Sequence, residues 1–200
     1  MVQCLFAGVG GQGIVLASKL TGTHFMNQGY HVRTTETIGM AQRGGSVTSH
    51  LRASKDPVYS PFVIAGKLDL LIALEPAEAV RNLKYLGENT KILVHTRPIK
   101  PVTDTLAKES YDPSDSIKAL KNACPAVYVF DFQDLFEELG SDKVLNLAML
   151  GAAIGLSSLP TTKEDMILTI REMIPERFLK MNLKAYETGF EKGQIYHRGK

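Results

Sequence analysis

Residues 2–13 read Val-Gln-Cys-Leu-Phe-Ala-Gly-Val-Gly-Gly-Gln-Gly and give the clearest indication of the fold. Val2–Ala7 is mostly apolar, as expected of a short buried strand. Three glycines follow at the G-x-G-x-x-G spacing, and apolar residues then recur at helical spacing over Ile14–Asn27. A strand, a glycine-rich turn and a helix in this order predict the first unit of an α/β fold.

The glycine-rich turn has two interpretations. Glycines let the chain bend sharply, and the free N–H groups of the following helix can bind an anion such as a phosphate. Dinucleotide sites add an acidic residue about 20 positions later, and Glu36 stands roughly there. However, Gly11 and Gln12 depart from the usual pattern, and a glycine-rich loop rather than a helix follows Glu36. Ligand binding and simple close packing of strand and helix therefore both remain open.

The rest of the chain alternates between strand and helix patterns. The predicted strands are Tyr30–Thr35, Ser46–Arg52, Asp69–Glu75, Lys91–Thr96 and Ala126–Asp131, and the predicted helices are Glu75–Leu86 and Pro113–Ala123. From about Leu145 onward the remainder is predicted to be helical. This order predicts an α/β fold with a Rossmann-like, mostly parallel sheet, helices on both faces and a helical C-terminal segment, all in one domain over residues 1–200.

A second glycine-rich segment reads Glu36-Thr-Ile-Gly-Met-Ala-Gln-Arg-Gly-Gly45. It places the Arg43 guanidinium, with the Gln42 amide beside it, among small residues. Such a planar donor suits a phosphate, a carboxylate or an ion pair across an interface, and a solvated loop arginine is the alternative. The alternating residues of Ser46–Arg52 then predict a half-buried strand, antiparallel to its neighbour. We expect the turn and Arg43 to lie at the same edge of the sheet.

Composition excludes several classes of function. The net charge is +2, from 23 basic and 21 acidic residues, which gives no electrostatic case for nucleic acid or an anionic membrane. Two cysteines are too few for an iron–sulfur cluster, which needs about four thiolates, and the five histidines lack metal-site spacing. No apolar run reaches the ~18 residues of a membrane span. We expect a soluble, cytoplasmic protein.

Seven short motifs follow one another along the chain: Gly10-Gly-Gln-Gly13, Glu36-Thr-Ile-Gly-Met-Ala-Gln-Arg-Gly-Gly45, Tyr59-Ser-Pro61, Asp69-x-Leu-Ile-Ala-Leu-Glu-Pro76, Thr96-Arg-Pro98, Asn146-x-x-x-Leu-Gly151 and Ala185-x-x-x-Gly189. In these motifs the chain resembles the gamma-type subunits of the 2-oxoacid:ferredoxin oxidoreductases. The segment Met40–Gly45 is the sharpest motif and is more similar to the indolepyruvate branch of that family, whose small subunit is called beta.

This resemblance implies an activity. The family oxidatively decarboxylates 2-oxoacids, transfers the acyl group to coenzyme A and reduces ferredoxin; the indolepyruvate branch uses aryl 2-oxoacids. A large alpha subunit is expected to carry thiamine diphosphate and the iron–sulfur clusters. The present chain would complete a hetero-oligomer with it, would be inactive alone, and by analogy would help to bind coenzyme A.

No catalytic residue and no metal ligand is assigned to this chain. The candidate cofactor-binding residues come from the two glycine-rich segments: Gly10, Gly11, Gln12, Gly13, Glu36, Gln42, Arg43, Gly44 and Gly45. Three other functions remain open. They are a gamma subunit for pyruvate, 2-oxoisovalerate or 2-oxoglutarate, a stand-alone NAD(P)-dependent oxidoreductase, and a non-catalytic interaction or ligand-sensing domain.

Overall fold

A computed structural model describes residues 1–39, 44–99 and 111–198 of the chain. Within these ranges the strands are β1 (Val2–Val9), β2 (His31–Ile38), β3 (Ser46–Ser54), β4 (Leu68–Ala73), β5 (Leu86–His95) and β6 (Val127–Phe130). The helices are α1 (Ile14–Asn27), α2 (Pro76–Arg81), α3 (Pro113–Ala123), α4 (Gln133–Leu139), α5 (Leu145–Gly155), α6 (Lys163–Met173) and α7 (Glu176–Arg198).

The six strands form one sheet in the order β2-β3-β1-β4-β5-β6. The strands β1, β4, β5 and β6 run parallel, whereas β3 is antiparallel to both of its neighbours, β1 and β2. The predictions of a mostly parallel sheet and of an antiparallel strand after the second glycine-rich segment are therefore confirmed. No pattern in the sequence indicates that β3 lies between β1 and β2.

Helices cover both faces of the sheet, as predicted. On one face, α1, α5, α6 and α7 pack against Cys4 and Phe6 of β1, in the larger hydrophobic core. On the other face, α2 and α3 pack against Leu5 and Ala7 of the same strand. Successive β1 side chains point to opposite faces, so a strand that is apolar throughout is buried on both sides.

One predicted helix is shorter than expected, and one observed helix was not predicted. The helix expected over Glu75–Leu86 ends at Arg81, and a 3₁₀ turn, Leu83–Tyr85, follows it. The short helix α4 was not predicted, because its seven residues present too little helical periodicity between β6 and α5.

The prediction that β3 is half-buried is also wrong. The face expected to be exposed carries His50 and Arg52, and both are buried. The loop between β3 and β4 covers them: the Val63 N–H donates to His50 Nδ1 at 3.2 Å, and Arg52 Nη1 donates to the Ser60 carbonyl at 3.1 Å.

The C-terminal helices fix the position of α5 beneath the glycine-rich turn. Gly151 and Gly155 of α5 lie against the backbone of α7, and Gly189 and Gly193 of α7 lie against the backbone of α5. A Cβ at Gly189 would overlap the Ala148 carbonyl, so the two helices approach more closely than larger residues would allow. The glycines of α5 and α7 therefore allow the two helices to pack tightly.

Candidate functional site

The glycine-rich turn is held by one side chain. Gln12 accepts a hydrogen bond from the Val9 N–H at 2.7 Å through Oε1 and donates to the Leu74 carbonyl at 2.9 Å through Nε2. Gly11 and Gly13 have φ values of 102° and 81°, a region that favours glycine. The Gln12 side chain therefore joins the end of β1 to the end of β4, and the glycines on either side shape the turn.

The second glycine-rich segment returns to this turn. The Gly10 N–H donates to the Gly45 carbonyl at 2.9 Å, and Gly44 and Gly45 precede β3, which begins beside the end of β1. Met40, Ala41, Gln42 and Arg43 lie outside the described residues, so the placement of Arg43 stays a prediction.

Glu36 is not brought to the turn. It is exposed on the edge strand β2, where it pairs with Ser49 of β3, and Ser49 in turn pairs with Phe6 of β1. The strand β3 thus separates Glu36 from β1 by two strand spacings, about 10 Å. In a dinucleotide site the acidic residue follows the strand next to β1, so this arrangement does not favour the NAD(P) alternative.

A crevice opens where β1 and β4 end. The helix α1 follows β1 on one face of the sheet, whereas α2 follows β4 on the other face. Ligands of open α/β sheets bind at such switch points, outside the carboxyl ends of the strands. Two cavities lie here, one on each side of the glycine-rich turn.

We call the first of them the histidine cavity, and its volume is about 400 Å³. Its lining includes the Gly10–Gln12 turn, His95 and Arg97 after β5, Phe136 of α4, and the residues Asp142, Lys143 and Leu145 at the start of α5. Two helix N-termini converge beside it, because Asn146 Nδ2 of α5 donates to the Gly13 carbonyl just before α1, at 3.2 Å. Neither N-cap residue, Gly13 for α1 or Val144 for α5, caps its helix with a side chain, although Asn146 Oδ1 accepts from the Leu147 N–H of α5 at 3.0 Å.

His95 is the most deeply buried polar side chain of this cavity, with 1% of its surface exposed. Its ring stacks on Phe132 and contacts Phe136. Burial lowers the pKa of His95 to about 4, assisted by Arg97 and Lys192 and opposed by Asp131. His95 is therefore neutral at physiological pH.

Among the described residues, two cations line the histidine cavity. Arg97 Nη1 lies 3.1 Å from Asp142 Oδ2, in an ion pair whose side chains are 55% and 58% exposed. Lys143 is the second cation, and no ion pair within the described residues involves it.

We call the second cavity the carboxylate cavity, with a volume of about 440 Å³ on the α2 side. Glu75 and Glu78 line it, and both are buried. Glu75 caps α2, because its Oε2 accepts from the Glu78 N–H at 2.9 Å, and its Oε1 accepts from the Tyr111 hydroxyl at 2.8 Å. Glu78 accepts from Ser46 Oγ at 2.5 Å and pairs with Arg81 at 3.2 Å.

Burial is the main effect on the ionisation of Glu78. It raises the pKa of Glu78, and so does the nearby Glu75, whereas the Ser46 hydrogen bond and Arg81 lower it. Glu75 both lines this cavity and caps α2. The sequence did not single out His95, because a lone histidine at a strand end is typical of a core residue.

The described residues contain no group of three or more His, Cys, Asp or Glu side chains that could hold a metal ion. None of the helices described is both long enough and apolar enough to cross a bilayer.

Similar proteins identify the family. Residues 3–192 match the family model of pyruvate ferredoxin/flavodoxin oxidoreductase. Indolepyruvate oxidoreductase subunit IorB of Archaeoglobus fulgidus is 37% identical over 190 residues, which cover 94% of each chain. The pyruvate/ketoisovalerate oxidoreductases common subunit gamma of Thermococcus kodakarensis is 25% identical, over 98% of this chain and 99% of the relative.

Two solved structures share the fold. The gamma subunit of a keto/oxoacid ferredoxin oxidoreductase from Geobacter sulfurreducens has a TM-score of 0.67 at 22% identity, over 98% of this chain and 99% of that one. A 2-oxoglutarate:ferredoxin oxidoreductase from Magnetococcus marinus, with 2-oxoglutarate, coenzyme A and succinyl-CoA bound, has a TM-score of 0.72 at 18% identity, over 97% of this chain and 31% of that one. The chain belongs to the pyruvate ferredoxin/flavodoxin oxidoreductase family, as a beta subunit of its indolepyruvate oxidoreductase branch.

Proposed function

We propose that this beta subunit acts in a complex with a large alpha subunit, and that the complex converts aryl 2-oxoacids to acyl-coenzyme A while it reduces ferredoxin. The observation that carries the proposal is the identity of 33–37% to four indolepyruvate oxidoreductase subunits, over 92–94% of this chain. The same relation favours aryl substrates over pyruvate or 2-oxoglutarate, whose subunits are 24–27% identical.

The cysteines of this chain support a role without electron transfer. There are two of them, Cys4 and Cys124, and both are buried. Burial raises the pKa of the Cys4 thiol well above its usual range, which disfavours the thiolate that binds iron. Thiamine diphosphate and iron–sulfur clusters, when bound to the alpha subunit, would supply the decarboxylation and electron-transfer chemistry.

The crevice between the ends of β1 and β4 supports a contact with coenzyme A. This ligand carries phosphates, and phosphates are stabilised by helix N-termini and by arginine side chains. The N-termini of α1 and α5 and the side chain of Arg97 all lie at the crevice. The candidate residues Gly10, Gly11 and Gln12 line it as well.

Reconstitution tests the complex. The alpha subunit is purified with and without this chain, and indolepyruvate- and coenzyme A-dependent reduction of ferredoxin is measured. We expect no turnover from this chain alone and turnover from the mixture, because the chain has too few thiolates for a cluster. Turnover by the single chain, or no effect of adding it to the alpha subunit, would contradict the proposal.

Equilibrium binding of NADH separates the proposal from the stand-alone oxidoreductase. Because Glu36 lies two strands from β1, we expect no NADH binding by the purified chain up to millimolar concentration. A fluorescence titration that gives a micromolar Kd would favour the NAD(P) alternative.

The Arg43→Ala variant tests the second glycine-rich segment. We expect at least tenfold weaker use of coenzyme A or weaker assembly, because a charge-assisted hydrogen bond contributes roughly 1.5–3 kcal/mol. We also expect Arg43→Lys to rescue little, because an ammonium group lacks the planar fork of a guanidinium. The measurements are steady-state kinetics of the reconstituted complex and a thermal melt of the single chain, whose Tm should change little. Wild-type kinetics and assembly would leave Arg43 as a solvated loop residue.

A further inference from the structure

The histidine cavity contains a buried hydrogen-bonding atom that lacks a partner. His95 Nε2 makes no hydrogen bond within the described residues, although the side chain is 1% exposed. Native proteins leave few buried polar atoms unpaired, and each such atom calls for an explanation. Because His95 lines the cavity, the missing partner can come from a molecule bound there.

The other ring nitrogen shows which hydrogen-bonding role Nε2 has. The Arg97 N–H donates to His95 Nδ1 at 3.3 Å, so Nδ1 uses its lone pair as an acceptor. A neutral imidazole carries one proton, which must then lie on Nε2. The unpaired atom is therefore a donor, and what it lacks is an acceptor.

The surroundings of His95 favour an acceptor with negative charge. Arg97 and Lys143 line the same cavity, and α5 begins at its wall with Leu145. A helix N-terminus favours anions. Asp142 is the one carboxylate among the described residues that line the cavity; it opposes an anion directly and also holds the Arg97 guanidinium in an ion pair at 3.1 Å.

We propose that the histidine cavity is a binding site for a phosphate-type oxyanion, in which the His95 Nε2–H donates to an anion oxygen and Arg97 neutralises the charge. Arg97 would then exchange its contact with Asp142 for a contact with the anion. The cavity, at about 400 Å³, has room for a diphosphate group. This inference deepens the proposed function, because it names the ligand chemistry of the crevice, but neither coenzyme A nor the alpha subunit is needed to test it.

The probe is inorganic pyrophosphate, added to the full-length chain labelled with ¹⁵N. Imidazole ¹H–¹⁵N spectra follow the His95 Nε2 proton, and titration calorimetry gives the Kd. We expect pyrophosphate to move the His95 Nε2 resonance to the position of a strong hydrogen bond and to leave His50 unchanged, since His50 lies on the other face of the sheet under the β3–β4 loop. A saturable heat without any change at His95 would identify an adventitious ion only and would overturn the proposal.

Two substitutions should change the affinity in opposite directions. His95→Phe keeps an aromatic ring against Phe132 and Phe136 but removes the donor, so we expect at least tenfold weaker pyrophosphate binding. Asp142→Asn removes the competing carboxylate and frees Arg97, so we expect binding about threefold tighter or more.

Each variant has a matched control. His50→Phe replaces another buried histidine, and Asp115→Asn removes another exposed carboxylate that pairs with a cation, Lys118. Neither control should change the Kd. If His95→Phe fails to fold, the wild-type spectra and the Kd of Asp142→Asn still test the proposed site. Equal Kd values in wild type, His95→Phe and Asp142→Asn would refute the site, even if the reconstituted complex were fully active.

Discussion

The two cavities at the carboxyl edge of the sheet have similar volumes but opposite hydrogen-bonding states. In the carboxylate cavity, each oxygen of Glu75 and Glu78 has a partner within hydrogen-bonding or ion-pair distance. In the histidine cavity, the buried His95 Nε2 has none within the described residues. The first is a closed polar network of the kind that rigidifies a structure, whereas the second is complete only with a further acceptor.

This difference suggests that the two cavities have different roles, one in stability and the other in binding. Glu75 and Glu78, which line the carboxylate cavity, fix the start of α2 and, through Ser46, the start of β3. The strand β3 directly follows the second glycine-rich segment. The histidine cavity brings Arg97 and Lys143 together with two helix N-termini; Arg97 pairs with Asp142 at the exposed rim, and Lys143 forms no ion pair within the described residues. The comparison predicts that substitutions in the carboxylate cavity act mainly on stability, and substitutions in the histidine cavity mainly on binding.

The largest expected effect is on stability, from Glu75→Ala. This change removes the N-cap of α2, which is worth about 1–2 kcal/mol, and leaves buried polar groups with fewer partners, which costs about 1–3 kcal/mol. We expect the free energy of unfolding to fall by roughly 4 kcal/mol in a urea titration. The control is Glu88→Ala, at an exposed position, with a change within about 0.5 kcal/mol. Equal stabilities of the two variants would show that the carboxylate network does not hold α2.

The second expected effect is a pH dependence of the free energy of unfolding, which arises from His95. Since burial lowers the pKa of His95 to about 4 from 6.5, the unfolded chain binds more protons than the folded chain between these pH values. Stability therefore increases with pH in this window, and it is lost as the pH falls from 6.5 to about 4. The shift corresponds to roughly 3 kcal/mol.

Urea titrations of wild type and His95→Phe at a series of pH values measure this effect. His24 and His50 also have pKa values lowered by burial, so the difference between the two proteins isolates His95. We expect the loss of stability below pH 6.5 to be shallower in His95→Phe. Parallel curves would indicate that His95 is already protonated or solvated in the folded chain.

The fold was more predictable from sequence than the site. Three elements were predictable because their local sequence pattern agrees with their burial. They are the strands β1 and β4, which are mostly apolar, and the helix Pro113–Ala123. The glycine-rich turn was located correctly as well, since glycine spacing and helix onset are local features.

Features that depend on strand order and packing were not predictable. Glu36 has the sequence spacing of a ribose-binding residue, but β3 lies between its strand and β1, and spacing carries no information on strand order. His95 is held at the cavity by ring contacts with Phe132 and Phe136. Phe136 belongs to α4, the helix that the sequence pattern did not indicate. Whether His95 Nε2 has a hydrogen-bond acceptor depends on the assembled cavity, so it cannot be predicted from the sequence.

The smallest effects on stability come from a matched pair of arginines, and these variants test the comparison most directly. Arg81 pairs with Glu78 at the carboxylate cavity, and Arg97 pairs with Asp142 at the histidine cavity, with nitrogen–oxygen distances of 3.2 and 3.1 Å. Both guanidinium groups are largely exposed, so Arg81→Gln and Arg97→Gln should each lower the free energy of unfolding by less than about 1 kcal/mol.

Their effects on anion binding should nevertheless differ. Arg97→Gln removes the charge that neutralises the anion, and we expect roughly tenfold weaker binding of pyrophosphate. Arg81 faces two buried carboxylates, which repel an anion, so Arg81→Gln should leave the Kd within about twofold. Calorimetric titration of both variants under identical salt measures this, because ionic strength screens exposed charges equally in the two. If both variants lost affinity equally, binding would depend on net charge alone, and the division between the two cavities would not hold.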